Sequence, residues 1–166
     1  MTMYLLDSDT FIQAKNLYYG FDICPGYWEW MDGAVDGCAV RSVSKVYDEL
    51  VAGNDELAQW IKGRKGDGRF LPITDPATQN AFREIAAAVQ GGDYQPSAKA
   101  QFLAGADPWL VAKARVLGAT VVTMERPEPT AKRRVPLPNM CIAFGVPWMD
   151  TFALLRQHAA AFRLAA

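Results

Sequence analysis

The sequence predicts an α/β sandwich around a short parallel sheet, on three observations. The apolar run Tyr4-Leu5-Leu6 stops on Asp7-Ser8-Asp9-Thr10, which reads as a short buried strand meeting the start of a helix. The run Thr120-Val121-Val122-Thr123-Met124 gathers β-branched residues directly behind a helical stretch closed by Gly118, an αβ unit. Between them, helical patterns alternate with short apolar segments, the order that buries a parallel sheet between helices.

The elements follow in chain order. Residues 9–19 form a helix carrying Phe11, Ile12, Ala14 and Tyr18, with Gly20 as its stop. Pro25 opens an amphipathic helix over 25–37, closed by Gly37. Cys38-Ala39-Val40 is a short strand or turn, and a helix runs from Ser42 to Ala52, where Gly53 and Asn54 break it. Asp55 to Lys62 is another short helix, ahead of a glycine-rich loop over 63–68. Phe70-Leu71-Pro72-Ile73 reads as a strand whose proline confines it to an edge. Asp75-Pro76 starts a helix to Gln90, Ser97 to Leu103 form a shorter one, and Asp107-Pro108 opens a helix to Leu117. A loop rich in Pro and Arg over 126–138 precedes a short helix from Asn139 to Phe144, and a last helix begins near Asp150.

A chain of 166 residues fits a single domain over 1–166, with enough length to bury a core. Hydrophobic residues make up 51% and the net charge is −1, which excludes a disordered tail and a bulk polyanion binder. The N-terminus lacks the basic region and long apolar run of a secretory signal, and no stretch approaches the ~18 apolar residues of a membrane span. A cytoplasmic protein without a membrane partner is expected. Cys24, Cys38 and Cys141 are odd in number with no CxxC spacing, so reduced thiols are expected rather than a disulfide framework or zinc ribbon. The single histidine, His158, rules out a His-rich metal site, and it sits in an Ala-rich helix rather than in a catalytic setting.

Carboxylates carry the functional signal. Asp7 ends the first strand, where open α/β sheets place their chemistry, and it equally suits a helix cap. On the helix from Ser42, Val43, Val46, Tyr47 and Leu50 form one apolar stripe, flanked by Glu49 on one side and Asp48 on the other; spacing does not choose between them. Asp107 lies under the buried face made by Leu110, Val111 and Ala114, and Asp followed by Pro also makes a favourable N-cap. Glu125 follows the strand that ends at Met124. Convergent acids repel one another unless protonated or bound to a hard cation, and oxygen-only ligands select Mg²⁺ or Mn²⁺. Such pockets suit attack by water on a phosphodiester. Lys132, Arg133 and Arg134, with Lys62, Arg64, Lys65 and Arg69, are the candidate groups for a nucleic-acid backbone, set against plain solvated loop charge.

The order Asp7-Ser8-Asp9, Ser42…Glu49-Leu50, Ala106-Asp107…Leu110…Ala114 and Val121-Val122-Thr123-Met124-Glu125 resembles the PIN domain. The segments 21–28, 107–110 and 138–146 look like a bacterial PIN-like subfamily of uncharacterised proteins, extending the resemblance over nearly the whole chain. It implies a three-layer α/β/α sandwich and a metal-dependent ribonuclease, of the kind found as toxins in VapBC-type toxin–antitoxin pairs. By the same resemblance the metal-coordinating acids fall on Asp7, Glu49, Asp107 and Glu125, and the supporting hydroxyls on Ser8 and Thr123. Glu125 stands where Asp is more common and Asp9 where Asn is usual. An RNA substrate, a cognate antitoxin and a homodimer are the implied partners.

Two other readings predict different chemistry. A haloacid-dehalogenase-type phosphatase would use Asp7 as nucleophile and Asp9 as acid/base, but it wants Thr or Val where Phe11 stands. A PIN-like scaffold would bind RNA or protein without cutting. The aromatic residues Tyr18, Tyr19, Phe21, Tyr27, Trp28 and Trp30 read as core packing of the early helices or as a docking surface.

Overall fold

A computed structural model of the protein describes residues 1–165. Its centre is a five-stranded parallel sheet in the order β3-β2-β1-β4-β5: β1 Tyr4–Leu6, β2 Val40–Val43, β3 Phe70–Leu71, β4 Thr120–Val122 and β5 Trp148–Met149. Tyr4 pairs with Val40 on one side and Thr120 on the other, so β1 is the middle strand and Leu5 is fully buried. The chain steps outward from β1 through β2 to β3, then crosses back to β4 and β5. Right-handed crossovers in opposite directions put their helices on opposite faces, giving the three-layer α/β/α sandwich that was expected.

The helices are α1 (Ser8–Gln13), α2 (Pro25–Gly37), α3 (Ser44–Val51), α4 (Glu56–Lys62), α5 (Pro76–Gly91), α6 (Pro96–Ala104), α7 (Asp107–Leu117), α8 (Leu137–Ala143) and α9 (Thr151–Gln157). A π-helical turn over Ala14–Tyr18 extends α1. Side-chain carboxylates cap several of them: Asp55 accepts from the Ala58 amide, Asp75 from Thr78 and Asp150 from Ala153. The α7 helix lies against β1, β2 and β4 with α5 packed on it, and Gly118 closes it in the left-handed region at φ 64°.

Three expectations need correction. Ser42 is in β2, not in a helix, and its hydroxyl donates to the Leu6 carbonyl at 2.6 Å. The two middle residues of Val40-Arg41-Ser42-Val43 are polar, so the run shows neither the alternation nor the continuous apolar stretch that marks a strand. The strand β5, two residues after Pro147, escapes sequence reading because it is too short to show a period. His158 lies just past α9, packed edge-on against Tyr4 at 5.1 Å, and not within a helix.

The aromatic residues of the early helices are core. Tyr27 and Trp28 are buried, Tyr19 stacks on Tyr27 and Phe21 stacks on Trp28. Tyr18 alone of that group is exposed. Among the described residues no helix is long and apolar enough to cross a membrane, and the three cysteines are unpaired.

Candidate metal centre

The strand order reverses between β1 and β4, and a parallel sheet opens a crevice at the carboxyl ends of the two strands that flank such a point. Asp7 leaves β1 there, its amide closing the ladder on the Val122 carbonyl at 3.1 Å. Its Oδ1 accepts the Thr10 amide at 2.7 Å, capping α1, and its Oδ2 accepts the Thr123 hydroxyl at 2.5 Å. The cap and the site are therefore the same carboxylate. Asp7 is 2% exposed, and burial pushes its carboxyl up to about 6, against the opposing pull of those hydrogen bonds.

Glu49 arrives from the first helix after β2. Its Oε1 accepts the Ala106 amide at 2.9 Å and its Oε2 accepts the Ser8 hydroxyl. Glu49 thus supplies from α3 an acceptor for the amide at the head of α7. Asp48, on the other flank of the stripe, is exposed and takes no part in the cleft. Glu125 follows β4; its own amide donates to Thr123 Oγ1 at 3.1 Å, and its Oε2 accepts the Leu137 amide that opens α8 at 3.0 Å.

Asp107 differs from the other three. It is the first residue inside α7 rather than its cap; Ala106 holds the cap position in a helical conformation. The Asp-Pro capping expectation fails because the amides such a cap would accept, those of Trp109 and Leu110, already donate to the Ala106 carbonyl at 3.0 and 3.1 Å. The Asp107 carboxyl is raised well above the ordinary value, first by desolvation and then by the charges of Asp7, Glu125, Glu49 and Asp9. No hydrogen-bond donor reaches it among the described residues. The same negative field, after burial, pushes the Cys141 thiol up to about 12.

Asp7, Glu49, Asp107 and Glu125 line one cleft of about 350 Å³, together with Ser8, Asp9 and Arg134. The four acids singled out by the resemblance therefore meet, and Asp48 stays outside. Gln101 and Phe102 of α6 form a further wall, which no sequence signal marked because α6 is a short helix between loops. As the side chains stand, no set of three His, Cys, Asp or Glu among the described residues closes round one ion. The donor chemistry nevertheless fits a hard cation: the acids offer only carboxylate oxygens, and Asp107, half-buried, has no ion pair of its own among the described residues.

Residues 4–162 match the family model described as a domain of unknown function, DUF4411. The chain belongs to this family. No protein of curated function matches it.

The basic residues divide within this DUF4411 fold. Arg134 lines the cleft, whereas Lys132 pairs with Asp93 at 2.7 Å, away from it, and Arg133 is exposed. Arg64 pairs with Asp32 and lies 4.0 Å over the Trp60 ring; Arg69 is buried against Asp67, Asp32 and the Met31 carbonyl. Those two serve the scaffold. Lys62 and Lys65 are exposed on the glycine-rich side, with Lys65 5.5 Å from the Tyr47 ring.

Proposed function

We propose that the cleft holds Mg²⁺ or Mn²⁺ and that the chain is a PIN-type endoribonuclease, the toxin of a toxin–antitoxin pair. One observation carries the catalytic part: four acids from four separate segments converge at the reversal point of a parallel sheet, and one of them, Asp107, is half-buried beside the other three with no ion pair of its own among the described residues. Folding such a carboxylate without a counter-charge is costly, which supports a site kept for a cation.

Asp7, Glu49, Asp107 and Glu125 would hold the ion, which when bound lowers the pKa of an attacking water and stabilises charge developing on the phosphodiester. The chain supplies preorganisation. Thr10 and Thr123 fix both oxygens of Asp7, Ser8 and the Ala106 amide fix Glu49, and the Leu137 amide fixes Glu125. Asp9 lines the mouth, exposed to solvent. The toxin role and its antitoxin rest on the resemblance described above.

The phosphatase reading is weaker on the same geometry. A nucleophilic Asp7 needs a carboxylate oxygen free to attack, and both are held by Thr10 and Thr123.

The test is cleavage of a panel of labelled structured RNAs by purified protein in Mn²⁺, with EDTA and Asp107→Asn as controls. Cleavage abolished by both supports the ribonuclease. Mn²⁺ binding without cleavage of any RNA identifies a binding scaffold, and cleavage that survives Asp107→Asn places the chemistry elsewhere.

A further inference from the structure

The geometry points to Arg134 as a resident counter-ion of the acid cleft, one that exchanges from Glu125 onto an incoming phosphate when a divalent cation occupies the site. The inference rests on reading the cleft as a cation site, and it names the group that receives the anionic ligand there.

Arg134 is the one cationic side chain in the cleft lining among the described residues. Its guanidinium bridges two acids: Nη2 lies 2.7 Å from Glu128 Oε1, and Nη1 lies 3.8 Å from Glu125 Oε2. These contacts are unequal. The first is a charge-assisted hydrogen bond; the second is Coulombic attraction at a distance too long for a hydrogen bond. Glu128 is a fixed post, because Asn139 holds its amide and its carbonyl, each at 2.9 Å. Arg134 is therefore anchored at one end and loosely held at the other, and its side chain is 48% exposed, with room to turn.

Electrostatics gives the loose end a direction. Without a cation, the cleft holds several carboxylates and a single positive group, so Arg134 is drawn toward Glu125. A dication among the same acids cancels that field and competes directly for Glu125. The guanidinium then has less to gain from the carboxylate, and a phosphate that approaches the cation offers its planar fork a bidentate partner. Lys132, two residues away, is the natural control: it pairs with Asp93 outside the cleft.

The test measures Mn²⁺ affinity by electron paramagnetic resonance, without RNA, for the natural chain, Arg134→Gln, Arg134→Lys and Lys132→Gln. Removing a competing charge is expected to tighten Mn²⁺ binding about 3- to 10-fold in Arg134→Gln. Arg134→Lys and Lys132→Gln stay close to the natural chain. Binding of a non-cleavable 2′-O-methyl RNA oligonucleotide is then compared with and without Mn²⁺. Arg134→Gln is expected to weaken it about tenfold with Mn²⁺ present, from loss of a charged hydrogen bond, and to leave it nearly unchanged without. Unchanged or weaker Mn²⁺ binding in Arg134→Gln overturns the inference, as does an oligonucleotide loss that is equal in both conditions. A shifted Mn²⁺ affinity in a chain that cuts no RNA leaves this inference standing and removes the ribonuclease; cleavage with no shift does the reverse.

Discussion

Two charges in this molecule, Arg69 fully buried and Asp107 half-buried, have opposite surroundings. Arg69, 1% exposed, sits between β2 and α2 with every need met: Asp67 at 3.2 Å, Asp32 at 3.5 Å, the Met31 carbonyl at 3.1 Å and the Trp60 ring at 4.9 Å. Asp107, at the head of α7, has desolvation and four like charges around it. Burial of a charge is thus not itself a functional signal. A charge with its partners present is architecture, and a charge without them is the kind that supports the cation site proposed above.

The comparison can be broken by swapping fates. Arg69→Ala opens a void beside the Trp60 ring and removes the donor to the Met31 carbonyl, and is expected to cost about 2–5 kcal/mol in a urea titration. Asp107→Asn is expected to abolish cleavage and Mn²⁺ binding while raising the stability of the metal-free chain by about 0.5–2 kcal/mol, read as a higher Tm in EDTA. A lower Tm for Asp107→Asn would mean that its charge is compensated after all, and the contrast with Arg69 would collapse.

Proton linkage sharpens the contrast. The Asp7 carboxyl is raised in the folded chain to about 6, above its unfolded value of 3.8. A raised carboxyl contributes stability that is present below pH 4 and lost as pH rises through 6, so in EDTA this group should weaken the fold over that window by on the order of 3 kcal/mol. Asp7→Asn should flatten that part of the pH profile; a profile identical to the natural chain's would refute the shift. Mn²⁺ affinity should fall as pH drops below 6, because protons compete for the same oxygens. The smallest effect is reserved for Asp9→Asn. Its exposure predicts a change in cleavage within about threefold, whereas a phosphatase acid/base would lose nearly all activity.

Much of this site could be read from local sequence, because local rules governed it. Asp7 is both a strand end and a helix cap, and each role leaves a mark in Leu5-Leu6-Asp7-Ser8. What local rules could not show is traffic between distant segments. The Ala106 amide takes its acceptor from Glu49, 57 positions earlier, and α7 then begins at the Ala106 carbonyl, which leaves Asp107 inside the helix rather than at its cap. The choice of Glu49 over Asp48 likewise depends on where α3 lies against α7, which no helical wheel contains. The run Lys132-Arg133-Arg134 reads as one basic patch, yet Asp93 takes the first residue and the cleft the last. Resemblance supplied the grouping of the acids, and the sheet order explains why that grouping is spatial.

Three of the four acids hold up the scaffold as well as the cleft. Asp7, Glu49 and Glu125 each accept a backbone amide, from Thr10, Ala106 and Leu137, and Asp107 accepts none. A lineage that abandoned the chemistry would still be pressed by folding to retain the first three, while drift at Asp107 would be free and even favourable. Within DUF4411 the presence of Asp7, Glu49 and Glu125 alone is therefore a poor guide, because those three positions also serve the fold. If the proposed chemistry holds, position 107 is the one whose inheritance separates a working cleft from a fossil of one.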